Sequence, residues 1–396
     1  LIMVPYLVRI LGPTGYGAVA FAQGFINYLM LFVEYGFNLS ATRKISVIRE
    51  DLAAVNRVAL HVWTAKGLLS LVGLAVLGAL TFVVPKLREV TLLLFALYGL
   101  ILGNAFFPTW LFQGMERMVA ISLINLGMKL ALLAGVFLLV KQPGDATLYA
   151  GLLGGGSLLA GLMGAVVSFR MFGLRLTRVA AKDVWGILRE SWTLFLSKAS
   201  VSFYTAGNAF ILGMLTDHTV VGYYSAAEKI VKNVFGLLWP ISQAIYPRFS
   251  KLAVESKERT LLWGRRTLMV MGGLGLLLTV GIFVGAPIVC AILLGPAFVP
   301  SIVVMRVLAP IIFLIALNNV LGIQLMLPLG KDRFFMFILL SAGIINLVLA
   351  VLLAPLYQAV GMATAVLVGE FFVTVAMGVY LQMNDLSLFS FGRSRL

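Results

Sequence analysis

The chain has 396 residues, of which 61% are apolar and 11% charged, with a mean hydropathy of +1.04. Soluble domains are about 45–50% apolar and about 25% charged, so a soluble protein is excluded and a polytopic helical membrane protein remains. The formal net charge of +15 would suggest nucleic acid in a soluble chain, but a membrane topology concentrates Lys and Arg in cytoplasmic loops and accounts for most of it.

Apolar runs of spanning length between turn and charge signals predict helices near 1–11, 15–39, 58–84, 91–113, 118–140 and 147–169. A second set follows near 191–214, 220–246, 267–294, 301–328, 334–354 and 359–381. The first is shorter than a span and reads as a helix whose front is missing. Twelve spans use about 240 residues and leave no room for a soluble domain. Loops within 40–57, 115–117, 170–190, 248–266, 331–333 and 393–395 hold twenty of the cations, whereas the opposite side holds only Lys86, Arg88 and Lys141. That bias puts the ends of the even-numbered helices and the C-terminus in the cytoplasm.

A weak repeat appears at offsets of about 205 to 216 residues. Gln113-Gly114-Met115-Glu116-Arg117 aligns with Leu329-Gly330-Lys331-Asp332-Arg333, and Gln23 and Asn27 align with Glu228 and Lys232. Two six-helix lobes of the same orientation follow, related by a pseudo-two-fold axis along the membrane normal. The expected division is 1–169 for the N-lobe, 170–190 for a basic cytoplasmic linker, 191–381 for the C-lobe and 382–396 for a cytoplasmic tail.

Within the spans lie seven bases, Arg9, Lys66, Lys129, Lys198, Lys229, Lys232 and Arg306, against three acids, Glu34, Glu228 and Glu370. Each base at a helix centre costs roughly 2.5–3.5 kcal/mol, so these groups must face water, counterions or a substrate. Lys66 and Lys198 are close enough to cytoplasmic ends to snorkel, Arg9 is close to an outer end, and Glu34 sits at an interface. Lys129, Lys229, Lys232 and Glu370 are too deep for that. Glu228 and Lys232 have the spacing and order of an i,i+4 ion pair, which leaves Lys229 without one. Arg306 with Glu370 is a second candidate pair. Gly151 and Gly155 are spaced for close helix packing, and Asn318 and Gln324 are among the polar residues expected either to bond neighbouring helices or to line a wet path.

Catalytic constellations are missing: there is no HExxH, no phosphate loop and no Cys/His cluster, and Cys290 is the sole cysteine. Neither an enzyme nor a metal or other cofactor is expected. Glu370, with Glu228 and Glu34 behind it, is the candidate ion-coupling carboxylate, because an intramembrane acid can carry a proton.

Pro5-Tyr6-Leu7-Val8-Arg9-Ile10-Leu11-Gly12-Pro13, Gly15-Tyr16-Gly17 and Tyr35-Gly36-Phe37-Asn38-Leu39-Ser40-Ala41-Thr42-Arg43 resemble the opening of the Wzx-type polysaccharide flippases. Trp110-Leu111-Phe112-Gln113-Gly114 and Val221-Gly222-Tyr223-Tyr224-Ser225-Ala226-Ala227-Glu228-Lys229 resemble later blocks of the same family. The resemblance implies the multidrug/oligosaccharidyl-lipid/polysaccharide exporter fold, with helices one, two, seven and eight around a central cavity. It further implies a substrate, oligosaccharide linked to undecaprenyl pyrophosphate, moved from the inner to the outer leaflet of the bacterial cytoplasmic membrane. On that placement Lys229, Lys232 and Lys198 meet the anionic headgroup, with Arg9, Lys129, Lys66 and Arg306 as further cationic candidates and Gln23 and Asn27 as partners for sugar hydroxyls. Membrane lipids and the polysaccharide polymerase machinery are the other expected partners. A drug or cation antiporter of the same fold, and a membrane enzyme acting on lipid-linked sugars, remain as alternatives.

Overall fold

The computed structural model describes residues 3–205, 207–384 and 386, and among these every regular element is a helix. Among the described residues, eight stretches are long and apolar enough to cross a membrane. Two of them, Met3–Ile48 and Asp332–Met383, each contain two of the expected helices, and the expected seventh and eighth helices are not among the eight. Contacts group the chain into two compact units, residues 10–214 and residues up to Arg9 together with 215–396.

In the N-terminal unit, α1 (Met3–Glu34) is broken where the sequence places a turn. Gly12 adopts φ 65, ψ 177, a region only glycine enters cheaply, and Pro13 after it cannot donate to the preceding turn. The helix ends as Tyr35 (φ 48) and Gly36 (φ 77) turn left-handed. Gly36 is doubly required, since a Cβ there would also lie 3.1 Å from Leu194 Cβ. The chain then forms α2 (Phe37–Ile48), which burial of Phe37, Ala41 and Ile45 at i,i+4 spacing anchors while Arg43, Lys44 and Val47 stay exposed.

The unit continues with α3 (Leu52–Val83), capped by Asp51 accepting from the amides of Ala53 and Ala54, and a short α4 (Pro85–Glu89). It is followed by α5 (Thr91–Phe106), α6 (Thr109–Gly114), α7 (Met118–Leu139) and α8 (Ala146–Phe172). Then come α9 (Ala181–Thr205) and α10 (Asn208–Leu215). Residues 181–190, expected in a linker, therefore form the start of α9. Glu190 pairs with Lys44 at 2.9 Å, and Ser191 shares a 2.8 Å hydrogen bond with Ser40. Farther along, Phe210 stacks against Phe21 and packs on Phe25 and Tyr28. Contacts thus group residues 181–214 with the helices before them.

Helices α5 and α8 meet along a seam of small residues. A Cβ on Gly154 would overlap the Ala96 carbonyl, one on Gly103 the Ser157 side chain and carbonyl, and one on Gly99 the Gly154 carbonyl. Gly151 and Gly155, the expected contact pair, have open space where their Cβ atoms would be. The buried face of α8 is Ala150, Gly154, Gly161, Gly164 and Ser168, and the pair suggested by spacing alone lies off it.

The C-terminal unit holds α11 (His218–Phe235), α12 (Trp239–Glu255) and α13 (Lys257–Val289), with α13 running on into a π-helical turn, Cys290–Leu294. Next are α14 (Ser301–Leu308) and α15 (Pro310–Asn318), extended by a π-helical segment, Asn319–Met326, and then α16 (Asp332–Met383). A straight helix of 52 residues would span about 78 Å, far beyond the roughly 30 Å hydrocarbon core. α16 instead reverses at Gln358 (φ 51, ψ −128), three residues after Pro355. Gly361 lies so close to the Leu353 carbonyl that no side chain fits, and Gly369 approaches Asn346 and Ala342, so the halves run back along each other. Their buried residues, including Ala342, Val373, Met377 and Leu381, join Phe249, Met271, Val320 and Leu325 in one core.

The seam gives a direct test. Gly154→Leu should lower the melting temperature and yield of the detergent-purified protein, an overpacking cost of about 1–3 kcal/mol or more, whereas Gly155→Ala should melt like the wild type. Equal melting of both variants would remove the seam from the account of stability.

Candidate functional site

The C-terminal unit brings three of the predicted residues together on and around α11. Asp217 caps this helix by accepting from the Val220 amide at 2.9 Å, and Val220, Val221, Tyr224, Ala227 and Val231 form its buried face. Lys232 Nζ lies 3.0 Å from Glu228 Oε1, the pair that the i,i+4 spacing predicts, with the lysine 57% exposed and the glutamate 18%. Tyr224, one turn before, donates its hydroxyl to the same oxygen at 3.0 Å. Lys229 is turned about 100° away from Glu228. It is exposed and has no ion pair or hydrogen bond to any described residue.

The second group surrounds Glu370 on the returning half of α16. Asn318, at the end of α15, donates its amide to Glu370 Oε2 at 2.9 Å and accepts from the Thr374 hydroxyl at 2.7 Å. The next residue, Asn319, accepts from Ser242 at 2.7 Å, and Gln324 donates to the carbonyl and hydroxyl of Ser242, each at 3.0 Å. Asn318 and Asn319 stand where α15 passes into its π-helical segment, which joins the two bonded groups through adjacent residues. Tyr224 and Thr374 were missed from sequence, although each lies four residues from its acid on the same helix face.

Other predicted residues are placed differently. Arg306 does not pair with Glu370: its Nε donates to the Phe283 carbonyl at 3.3 Å, and its guanidinium lies 5.9 Å from the Phe283 ring centroid. The side chain is exposed against α13, and Asn318 occupies Glu370 instead. Arg9 does not reach outward alone but donates to the Ile292 carbonyl in the π-helical turn after α13, beside Gly295. Lys66 does not snorkel. It is 1% exposed, and its ammonium rests on the Asn104 carbonyl at 3.2 Å, tying α3 to α5.

In the N-terminal unit, Lys129 is exposed on α7, sharing one side of it with Ser122 and Asn125, and no described residue partners it. Gln23 and Asn27 are half-buried one turn apart on α1, and Glu34 is half-buried at its end. Lys198 belongs to α9, but its side chain lies outside the described residues. Among the described residues no cluster of His, Cys, Asp or Glu could hold a metal ion.

This arrangement of helices defines a multi-pass helical membrane protein, and its fold is shared by solved structures of membrane transporters. It superposes with a TM-score of 0.76 on a solved structure of the lipid II flippase MurJ in an inward closed conformation, at 12% identity over 97% of this chain and 86% of that one. An inward-facing multidrug resistance MATE family transporter of the MOP superfamily gives 0.69 at 14% identity over 98% of both chains. The chain belongs to the polysaccharide biosynthesis protein family, whose pattern matches residues 1–253. Two relatives, each named "Putative O-antigen transporter", are similar along nearly the whole length. The Escherichia coli K12 protein is 31% identical over 98% of this chain and 93% of its own, and the Shigella dysenteriae protein 30% identical over 95% and 94%.

The Glu370 group separates charge from packing. Glu370→Gln keeps an oxygen for Asn318 and should melt close to the wild type, while Glu370→Ala leaves the Asn318 amide short of an acceptor and should cost about 1–3 kcal/mol. Thermal unfolding in detergent measures both, and an Ala variant as stable as Gln would show that the Asn318 contact contributes nothing.

Proposed function

We propose that this protein is a flippase that moves oligosaccharide linked to undecaprenyl pyrophosphate from the inner to the outer leaflet of the bacterial inner membrane, as a transporter and not an enzyme. The observation that carries the reading is whole-length similarity to relatives named for O-antigen transport, joined to an exposed ammonium, Lys229, with no partner among the described residues. In this reading twelve spans form lobes 1–169 and 191–381, joined by 170–190, and the tail 382–396 is cytoplasmic. The loop bias of twenty cations to three supports that orientation.

Lys229 meets the pyrophosphate or an acidic sugar, and Lys198 guides the headgroup from the cytoplasmic side. Lys129 adds a cation at depth, and Gln23 and Asn27 bind neutral sugar hydroxyls. Lys66, Arg9 and Arg306 leave the substrate set, since each is bonded within its own unit. No nucleotide-binding motif exists in the sequence, so an ion gradient supplies the direction, with Glu370, held by Asn318, as the proton carrier. Lys232 stays with Glu228 until the substrate arrives. An organic-cation antiporter fits these charges poorly, because Lys229 would repel its cargo. Contact with polysaccharide polymerase on the outer side completes the proposed partners.

Four outcomes are expected. In proteoliposomes Lys229→Ala should lose about 10- to 100-fold in flipping of lipid-linked oligosaccharide, the worth of a charge-assisted contact of about 1.5–3 kcal/mol, while Lys229→Arg keeps part of it. The lipid-linked sugar should cross without a change in mass; a change would mean an enzyme. Glu370→Gln should transport without responding to a pH gradient, and normal response would remove Glu370 from coupling. Cysteines replacing Arg178 or Lys257 should resist an impermeant thiol reagent in intact cells and one replacing Lys141 should react, with the reverse pattern overturning the orientation.

A further inference from the structure

A groove in the N-terminal unit is used by nothing described above. Helices α3, α5 and α8 leave a cavity of about 620 Å³ that ends at Arg170, in the last turn of α8, and a second of about 290 Å³ that continues along α3 past Gly67 to Leu74. Trp63 and Phe106 wall both chambers. The indole is held in place: its Nε1 donates to the Phe106 carbonyl at 3.1 Å, which is available because α5 ends there, and its ring stacks on Phe169 at 5.3 Å and 16°. The floor is thus fixed, while Leu162 and Val166 leave the groove open along its side.

Its chemistry is one-sided. Apart from Thr64 and Ser70 its walls are apolar or aromatic, and Arg170 is the one charged residue lining it among those described. Arg170 is exposed and has no carboxylate partner among the described residues. An unpaired guanidinium at the mouth of an apolar groove complements an amphiphile with one hydrocarbon chain to bury and one anionic group to present. The groove follows α3 from Leu60 to Leu74, about 21 Å, a little over one leaflet of a hydrocarbon core about 30 Å thick. An acyl chain matches that length, whereas an extended polyprenyl chain of eleven isoprene units is more than twice as long.

We propose that this groove holds one acyl chain of an anionic phospholipid from the leaflet at its Arg170 end, with the lipid phosphate on the guanidinium. The lipid wedges α3 against α8 beside Trp63, so it is a structural ligand of the N-terminal unit. The inference stands independently of the flippase reading, because it needs only the groove and the membrane.

The full-length protein, delipidated in detergent, is titrated with phosphatidylglycerol, phosphatidylcholine or undecaprenyl phosphate, and bound lipid is counted by native mass spectrometry. One phosphatidylglycerol should be retained per chain. Arg170→Gln should weaken it about fivefold, the worth of one cation at a lipid surface, and leave phosphatidylcholine unchanged. Ala165→Trp, which fills the larger chamber from α8, should remove the adduct, and Thr64→Trp repeats the test from α3 if the first variant folds poorly by thermal melting. Equal retention of phosphatidylglycerol and phosphatidylcholine would overturn the anionic assignment. Undiminished binding by a folded groove-filled variant would overturn the site, and one-for-one displacement by undecaprenyl phosphate would overturn the acyl chain as occupant.

Discussion

A hydrocarbon interior offers no water to a charge, and the rest of this structure follows from how each intramembrane charge answers that constraint. Three answers appear. Lys66, Arg9 and Arg306 turn to backbone carbonyls, using oxygen that α5, α13 and the turn after α13 present. Glu228 and Lys232 turn to each other and to Tyr224, and Glu370 turns to Asn318, which Thr374 also bonds. Lys229 and Lys129 have no described partner and are exposed. The first answer ties helices to one another, the second forms local bonded networks, and the third supplies the cations on which the proposed site rests.

The carbonyl answer is the one that sequence hides. Arg9 finds its acceptor 283 residues away, Lys66 at 38 and Arg306 at 23, and an acceptor that every residue possesses leaves no mark in the sequence. The Glu228–Lys232 pair was legible because one helical turn fixes the distance between residues four apart. The same reasoning would have found Tyr224 and Thr374, had hydroxyls been searched at the same spacing as charges. Asn318 was legible as a polar interruption but not as the partner of Glu370, 52 residues on, because that contact depends on how α15 meets the returning half of α16.

The fold was more legible than the site. Hydropathy located the apolar helices, although α3, α9 and α13 begin six to ten residues ahead of the expected starts at 58, 191 and 267, and Gly12-Pro13 and Pro355 to Gln358 mark breaks that length alone demands. The helical start of α9 was obscured because its residues carry charges and lie outside the apolar run, although Asp183 in its first turn is what a helix start favours. The glycine spacing on α8 was also ambiguous, because residues 151, 154, 155 and 156 are all glycine and only packing against α5 selects the face.

The α5–α8 seam constrains motion as well as stability. Backbone rests on backbone at Ala96, Gly99, Gly103, Gly154 and Ser157, and both chains run the same way along the contact. A slip of one residue brings Leu153 to the place of Gly154 in one direction and Leu162 to the place of Gly161 in the other, where only glycine fits. The two helices therefore behave mechanically as a single beam without a sliding joint. A displacement imposed at one end of that beam reaches the other end undiminished, so the compliance any conformational cycle needs must reside elsewhere, in helices whose contacts are made by side chains that can change rotamer.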